Sequence, residues 1–174
     1  MTTLDRVCAS LGAAGIAHAL IGAAALAARG VARSTFDIDL LVADGRVLDR
    51  AQWRALADQG LRIDIRKGDA DDPLGGVVRI ESDGQRPIDV ILGKLPWQHR
   101  AVARADAPAG GPPVVLARDL ILLKLYAGGA QDLWDVRELL AQQQDSLIEQ
   151  VNADLEPLGE SMKRAWQSVR GGDS

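Results

Sequence analysis

Two aspartates stand two residues apart in the apolar segment FDIDLLV, residues 36–42. Side chains at i and i+2 of a strand point to the same side, so we expect the carboxylates of Asp37 and Asp39 to lie about 6–7 Å apart. Asp89 is likewise one acid in an otherwise apolar segment, PIDVIL, residues 87–92. Like charges in such surroundings repel and lose hydration, and a hard divalent cation with oxygen ligands compensates both effects. If the two strands are neighbours, the three carboxylates form a candidate metal site.

The residues upstream of the aspartates suit a phosphate group. Two Mg²⁺ ions held by carboxylates can clamp a triphosphate and activate an attacking oxygen for in-line displacement. Gly22 follows a short apolar run and opens an Ala-rich helix, where free N–H groups can meet an anion. Arg33 and Thr35 place a cation and a hydroxyl just before the aspartates. On their spacing alone, the two aspartates fit the solvent face of an amphipathic edge strand better, and these upstream residues shift the balance towards a site.

Hydrophobic periodicity predicts the elements that must position these residues. We expect a helix over residues 2–14, capped by Thr2 or Thr3, and a second helix from Gly22 to Gly30. A further helix is predicted over 46–58 and another over 96–105. The predicted strands are 17–21, 36–42, 61–66, 77–82 and 87–92. The turn Asp83-Gly84 joins the last two strands as a hairpin.

The composition changes after the Pro/Gly cluster at 107–113, and helical patterns follow from Leu116 onward. The predicted tail helices cover 117–127, 131–143, 145–156 and 160–169. We therefore expect an α+β fold, with a small mixed β-sheet and flanking helices over residues 1–106, followed by a helical C-terminal subdomain over 107–174 packed on it. Lys124 lies among Leu and Ile in the first tail helix, which is costly unless an anion or acid meets it. The alternative is a side chain that reaches along the helix surface to water.

Composition and charge narrow the classes of function. The net charge of −4 gives no global basic field for nucleic acid, so a polyanion must be bound locally. A single cysteine, Cys8, excludes an internal disulfide and predicts a reducing, cytoplasmic setting. The uncharged run over 11–28 has nearly the length of a membrane span, but Ala and Gly dominate it. We therefore predict neither a membrane helix nor a signal peptide.

Residues 20–42, LIGAAALAARGVARSTFDIDLLV, resemble the signature of minimal nucleotidyltransferases of the DNA polymerase β superfamily. They are most similar to the AbiEii-like group of bacterial toxin–antitoxin systems. That signature is a hydrophobic strand, Gly-Gly or Gly-Ser, an Ala-rich helix, Gly, and then Arg-x-Thr-x-Asp-h-Asp, where h is hydrophobic. The positions that match it are Gly22, Gly30, Arg33, Thr35, Asp37 and Asp39.

The resemblance implies a polymerase-β-type core that transfers a nucleoside monophosphate from an NTP to a hydroxyl group and releases pyrophosphate. The implied acceptor is a tRNA-like RNA or a protein, and the implied partner is a cognate toxin or antitoxin. By resemblance, the catalytic residues and ligands of two Mg²⁺ ions are Asp37, Asp39 and Asp89. The implied nucleotide-binding residues are Gly22, Ala23, Arg33, Thr35, Lys124 and Asp132.

Two alternatives stay open. Ala23 stands where the family has a second Gly or a Ser, so the chain is alternatively a catalytically weakened module that binds a nucleotide or a partner. The predicted middle strands are also locally basic, with Arg62, Arg66 and Arg79 near Lys67 and Arg86. They form either an acceptor-RNA surface or an ordinary solvated strand face.

Overall fold

A computed structural model describes residues 1–108, 110–142 and 146–171 of the chain. Its centre is a five-stranded sheet in the order β1-β2-β5-β4-β3. The strands are β1 His18–Leu20, β2 Ile38–Val42, β3 Arg62–Lys67, β4 Leu74–Glu81 and β5 Ile88–Gly93. Strands β2 and β5 are parallel and the other neighbours are antiparallel, so the sheet is mixed.

Helices flank this sheet and build the C-terminal part of the chain. They are α1 Thr3–Ala13, α2 Gly22–Ala28, α3 Arg54–Asp58, α4 Pro96–Ala103, α5 Ala117–Ala127, α6 Ala130–Ala141, α7 Ser146–Leu155 and α8 Glu160–Arg170. The predicted α+β fold with a helical C-terminal part is therefore confirmed. Position 109 of the predicted connector, the end of the predicted second tail helix at 143 and the predicted start of the third at 145 lie outside the described residues. No helix within the described ranges has the length and apolarity needed to cross a bilayer.

Capping explains where the first helices begin and end. Thr2 caps α1 as predicted: its side chain accepts from the Asp5 N–H at 3.1 Å, and the Asp5 carboxylate accepts from the Thr2 N–H at 2.7 Å. The single helix predicted over 46–58 is wrong. Asp44 and Asp49 instead cap two successive 3₁₀ turns, Gly45–Leu48 and Arg50–Trp53, and only α3 is α-helical. An Asp side chain that bonds nearby backbone N–H groups favours turns over a continuous helix.

One face of the sheet is apolar, and the other carries a row of charged residues. On the apolar face, residues that are 0–1% exposed pack against the helices: Val78, Ile80, Ile88 and Val90. On the opposite face, four charged residues stand side by side across neighbouring strands, in the order Asp39, Asp89, Arg79 and Asp64. Since side chains alternate along a strand, the same pattern that buries the core places these four on one surface.

The segment 113–115, between α4 and α5, runs along the edge of the sheet. The Leu20 N–H donates to the Pro113 carbonyl at 2.7 Å, and the Val115 N–H donates to the Leu20 carbonyl at 3.1 Å. Arg29 donates to the Val114 and Val115 carbonyls and forms an ion pair with Asp106 at 2.6 Å. These contacts extend the sheet beyond β1. The division of the chain into units at 106 and 107 stays a prediction.

A second set of contacts fastens the C-terminal helices to α4. Arg104, the C-cap residue of α4, donates to both carboxylate oxygens of Asp119 on α5, and Asp119 is 0% exposed. Asp154 on α7 accepts from Arg104 at 3.0 Å and from Arg118 at 2.7 Å. A buried carboxylate needs such partners to offset its lost hydration. These contacts hold α5, which carries Lys124, and α7 against the C-terminal end of α4.

Candidate active site

The three predicted carboxylates lie together because β2 and β5 are parallel neighbours. Asp39 on β2 is the direct register partner of Asp89 on β5. Asp37 immediately precedes β2, which begins at Ile38, two residues later than the start predicted for this strand. A single nitrogen of Arg79, Nη1, lies 2.8 Å from Asp89 Oδ2 and 3.9 Å from Asp37 Oδ2. The carboxylates of Asp37 and Asp89 therefore face the same position.

Asp39 is the most perturbed acid of this site. Burial, followed by the charges of Asp37 and Asp89, raises the pKa of Asp39 to about 6, although Lys124 and Arg79 act in the opposite direction. Burial also raises the pKa of Asp89, and the guanidinium of Arg79 opposes that shift. Without a bound cation, ionisation of Asp39 therefore costs free energy. A cation next to the carboxylate would offset that cost.

Gly22 lies directly against the Asp39 carboxylate. It has φ +59°, and a Cβ added to it would overlap Asp39 Oδ2. It opens α2, and the N–H of the preceding residue, Ile21, donates to the Asp39 carbonyl at 3.0 Å. A glycine is required here both by the backbone conformation and by the close approach. The turn and the buried acid are therefore one packed unit, in which Ala23 follows as the second residue of α2.

We expect Gly22→Ala to lower the free energy of unfolding by about 2–3 kcal/mol. Any activity that depends on Asp39 should fall as well, because the added methyl group displaces the Asp39 carboxylate. The measurement is a thermal melt together with the transfer assay described below. Gly30→Ala is the matched control, because Gly30 has φ +92° but open space around its Cβ position. Gly30→Ala bears the backbone strain without displacing a carboxylate, so equal losses in the two variants would contradict the role given to Gly22.

Thr35 and Arg33 hold the loop that delivers Asp37. The Thr35 hydroxyl lies 2.9 Å from the Asp37 carbonyl and 3.1 Å from Asp37 Oδ1. Arg33 Nη1 lies 2.7 Å from Asp135 Oδ1 on α6. Both side chains therefore fix the approach to the acidic cluster from within the protein. Their predicted contact with nucleotide stays a prediction.

Lys124 is met by acids, as its apolar surroundings require. Its Nζ lies 2.8 Å from Asp132 Oδ1 and 2.9 Å from Asp135 Oδ2, although the latter contact lacks the angle of a hydrogen bond. Burial acts to lower the pKa of Lys124, but its contacts with Asp132 and Asp135 outweigh that effect, and the net shift is upward. The lysine is therefore a permanent cation on the Asp39 side of the site.

Asp135 and the contacts of Arg79 are features that sequence reasoning missed. Asp135 is 0% exposed and joins Arg33 to Lys124. Its spacing of three residues from Asp132 on a predicted helix placed both carboxylates on one face, which was an available signal. Arg79 is the register partner of Asp89. The predicted two-residue turn Asp83-Gly84 would instead have placed Arg79 opposite Ile88, so this contact did not follow from the sequence.

Three of the five basic residues predicted to form this surface, Arg62, Arg66 and Arg79, are paired with acids. Arg62 lies 2.9 Å from Asp83 and 3.4 Å from Glu81, and Arg66 lies 2.9 Å from Asp64. The charge around Arg62, Arg66 and Arg79 is therefore balanced. This pattern fits the solvated strand face better than the acceptor-RNA surface.

The donor set fits a divalent cation in its chemistry. Asp37, Asp39 and Asp89 offer carboxylate oxygens alone, the ligand type that Mg²⁺ takes in proteins. A cationic nitrogen already lies between oxygens of Asp37 and Asp89, so the position accepts positive charge. Among the described residues, the structure contains no group of three or more His, Cys, Asp or Glu side chains placed closely enough to hold a metal ion.

Comparison with known proteins gives structural likenesses of low score. No protein-family model matches the chain, and no curated protein is significantly similar to it. The crystal structure of ANT(2'')-Ia in complex with adenylyl-2''-tobramycin superposes with a TM-score of 0.49 and 18% identity, over 98% of this chain and 97% of that one.

Two further solved structures superpose less well. An antigenic nucleotidyltransferase-like protein from Paracoccidioides brasiliensis has a TM-score of 0.47 and 16% identity, over 90% and 88% of the two chains. Terminal uridylyl transferase 4 from Trypanosoma brucei with bound CTP has a TM-score of 0.40 and 14% identity, over 95% and 61%. At these scores and identities, the likenesses assign neither a family nor an activity to this chain.

Proposed function

We propose that the chain is a metal-dependent nucleotidyltransferase of the polymerase-β type, which moves a nucleoside monophosphate from an NTP to a hydroxyl acceptor. The observation that carries this proposal is that Asp39 and Asp89 are register partners on neighbouring strands. Asp37 directly precedes β2, and the backbone of Gly22 packs against Asp39. A set of carboxylates next to a glycine turn and a partly buried lysine provides the groups that phosphoryl transfer uses.

In this proposal the residues have distinct tasks. Asp37, Asp39 and Asp89 hold two Mg²⁺ ions, which supply Lewis acidity and neutralise charge on the reacting phosphates. The amides of Gly22 and Ala23 and the Lys124 ammonium meet the triphosphate, with Asp132 and Asp135 keeping the ammonium in place. Arg33 and Thr35 keep the loop before Asp37 ordered. Catalysis of this kind rests mainly on positioning and on charge, so rigid support of each group matters.

The resemblance of residues 20–42 to the AbiEii-like group supports a finer proposal. The acceptor is then a tRNA-like RNA or a protein, the chain works within a bacterial toxin–antitoxin pair, and its location is cytoplasmic. The balanced charge around Arg62 and Arg66 gives no extended basic track for RNA. Between the two acceptor classes, that balance favours a protein hydroxyl.

The test is incorporation of label from each α-³²P-NTP with Mg²⁺, offered separately to total RNA and to total protein. We expect one nucleotide to label one acceptor class, and EDTA to abolish the labelling. Labelled protein would support the favoured acceptor, whereas labelled RNA would overturn it while keeping the transferase. Absence of label in both, or labelling unchanged by Asp39→Asn, would contradict the enzyme.

A second candidate is a module that binds a nucleotide or partner with little turnover. Ala23 favours it, since the hydroxyl or bare glycine of the signature is missing there. So does Arg79, whose guanidinium already neutralises part of the acidic cluster. Calorimetry separates the two candidates, because the module binds NTP with Mg²⁺ and gives no product with either acceptor.

A further inference from the structure

Arg79 lies among the acids from which the proposed metal site is made. It is the register partner of Asp89 on one side and of Asp64 on the other. Its Nη1 donates to Asp89 Oδ1 at 3.1 Å and to Oδ2 at 2.8 Å, and its Nε lies 3.3 Å from Glu81 Oε1. One guanidinium thus has two groups of anionic partners, the aspartate cluster and Glu81.

We propose that Arg79 is an internal counter-cation of the aspartate cluster, which a divalent cation displaces from Asp89 towards Glu81. Arg79 is a positioning residue in this proposal, because it acts through Asp89 and Asp37. The inference rests on the proposed metal-dependent function, and it adds that metal binding is a cation exchange.

Charge and geometry support an exchange of cations. Arg79 Nη1 lies within 4 Å of oxygens from both Asp37 and Asp89, where a cation bound by the two would also lie. A guanidinium and a divalent ion at that separation repel strongly at the dielectric of a half-buried site. A guanidinium is not deprotonated in proteins, so the repulsion is relieved only if Arg79 moves.

Glu81 provides the place to which Arg79 can move. It lies two residues away on the same strand and face, is about one-third exposed, and already contacts the guanidinium through Nε. When Nη1 leaves Asp89, the contact with Glu81 keeps the arginine charge partnered. Lys124 does not act as the counter-cation of the aspartate cluster, because its charge is already neutralised by Asp132 and Asp135.

The test measures binding of Mg²⁺ and Mn²⁺ to the nucleotide-free protein by titration calorimetry. Removing one full charge beside the site predicts that Arg79→Gln binds either ion about tenfold more tightly than the wild type. Arg79→Lys keeps the charge and should bind close to the wild-type value. Arg46→Gln is the matched control, because Arg46 pairs with Asp44 and has no described contact with Asp37, Asp89 or Glu81, and its variant should bind as the wild type does.

A double-mutant cycle isolates the role of Glu81. If Glu81 acts by receiving Arg79, Glu81→Gln weakens metal binding in the wild type and has no effect in the Arg79→Gln background. If Glu81 acts only by its own charge, the effect is equal in both backgrounds, and the exchange is overturned. Far-UV circular dichroism confirms folding, and if Arg79→Gln is unfolded, Arg79→Met, which also removes the charge, takes its place in the same cycle: a Glu81→Gln loss that disappears with methionine supports the exchange, and an equal loss overturns it.

The failure of this inference differs from the failure of the proposed function. A wild type that binds metal and transfers nucleotide, with unchanged metal affinity in Arg79→Gln, overturns the exchange alone. A wild type that binds metal with the predicted Arg79 dependence but gives no labelled product overturns the transferase alone. A wild type that binds neither ion overturns both.

Discussion

Asp39→Asn is expected to remove nucleotidyl transfer, by about 10³-fold, and at the same time to stabilise the protein. The loss of activity follows because the amide cannot supply the anionic oxygen that the proposed metal site needs. The gain in stability follows because the buried carboxylate is held beside Asp37 and Asp89 at a cost that the amide avoids. A shift of the Asp39 pKa from 3.8 to about 6 corresponds to about 3 kcal/mol in the free energy of unfolding.

The stability effect has a defined dependence on pH. The folded-state pKa of Asp39 lies above its unfolded value, so the cost is absent below about pH 4, grows between pH 4 and 6, and is complete above pH 6. We therefore expect Asp39→Asn to raise the melting temperature by roughly 5–10 °C at pH 8 without metal, and to change it little at pH 4.

Asp64→Asn is the control for that experiment. Asp64 belongs to the same row of charged residues but is exposed on β3 and contacts Arg66. Its variant should keep activity and shift the melting temperature by a degree or two at most. A stabilisation that Asp39→Asn shows equally at pH 4 and pH 8 would contradict the ionisation of Asp39 as its cause.

Asp135→Asn is expected to destabilise the protein strongly, by about 3–5 kcal/mol in the free energy of unfolding. Asp135 is 0% exposed and contacts both Arg33 and Lys124, so its loss leaves the partly buried Lys124 ammonium with a single acid and Arg33 with a neutral partner. For a chain of this size, such a loss lowers the melting temperature by roughly 10 °C, which a thermal melt at pH 7 measures.

Asp132→Asn provides the comparison within the same helix. Asp132 contacts the same lysine but is partly exposed, so its removal should cost about 1 kcal/mol. In Asp135→Asn, the Lys124 pKa should also fall, because burial lowers it and one of the acids that oppose burial is gone. Equal losses in the two variants would show that the link from Arg33 through Asp135 to Lys124 does not carry the stability.

Local patterns were enough to predict the strands, most of the helices and the acids within the strands, because acids in apolar strands are conspicuous and Gly22 marks the turn between strand and helix. The sequence did not predict that β2 and β5 are neighbours, although the proposed grouping of three carboxylates required it. Parallel pairing of two strands is set by the whole topology of the sheet. The need of Lys124 for an acid followed from its surroundings. The identity of Asp135 did not, because burial of a helix face depends on how α5 and α6 pack.

The pairing of Arg79 with the acids shows a different limit. Its charge suggested a surface for polyanions, yet the register of one hairpin places it against Asp89. Similarly, the helix expected over 46–58 contains good helix formers, but Asp44 and Asp49 cap shorter turns. In both cases a local bond to a nearby side chain or backbone group decides the outcome, and composition averaged over the segment hides it.

The segment 113–115 has a consequence for how the chain behaves among its neighbours in a crowded solution. A sheet that ended at β1 would expose unpaired backbone N–H and C=O groups, with which a strand of another chain could pair and aggregate. Residues 113–115 cover that edge with hydrogen bonds to Leu20. The opposite edge strand, β3, carries charged residues at every second position, Arg62, Asp64 and Arg66, and charge on an edge strand disfavours pairing with another chain. Backbone pairing at Leu20 on one edge and charged side chains on the other both disfavour strand pairing between copies of the chain.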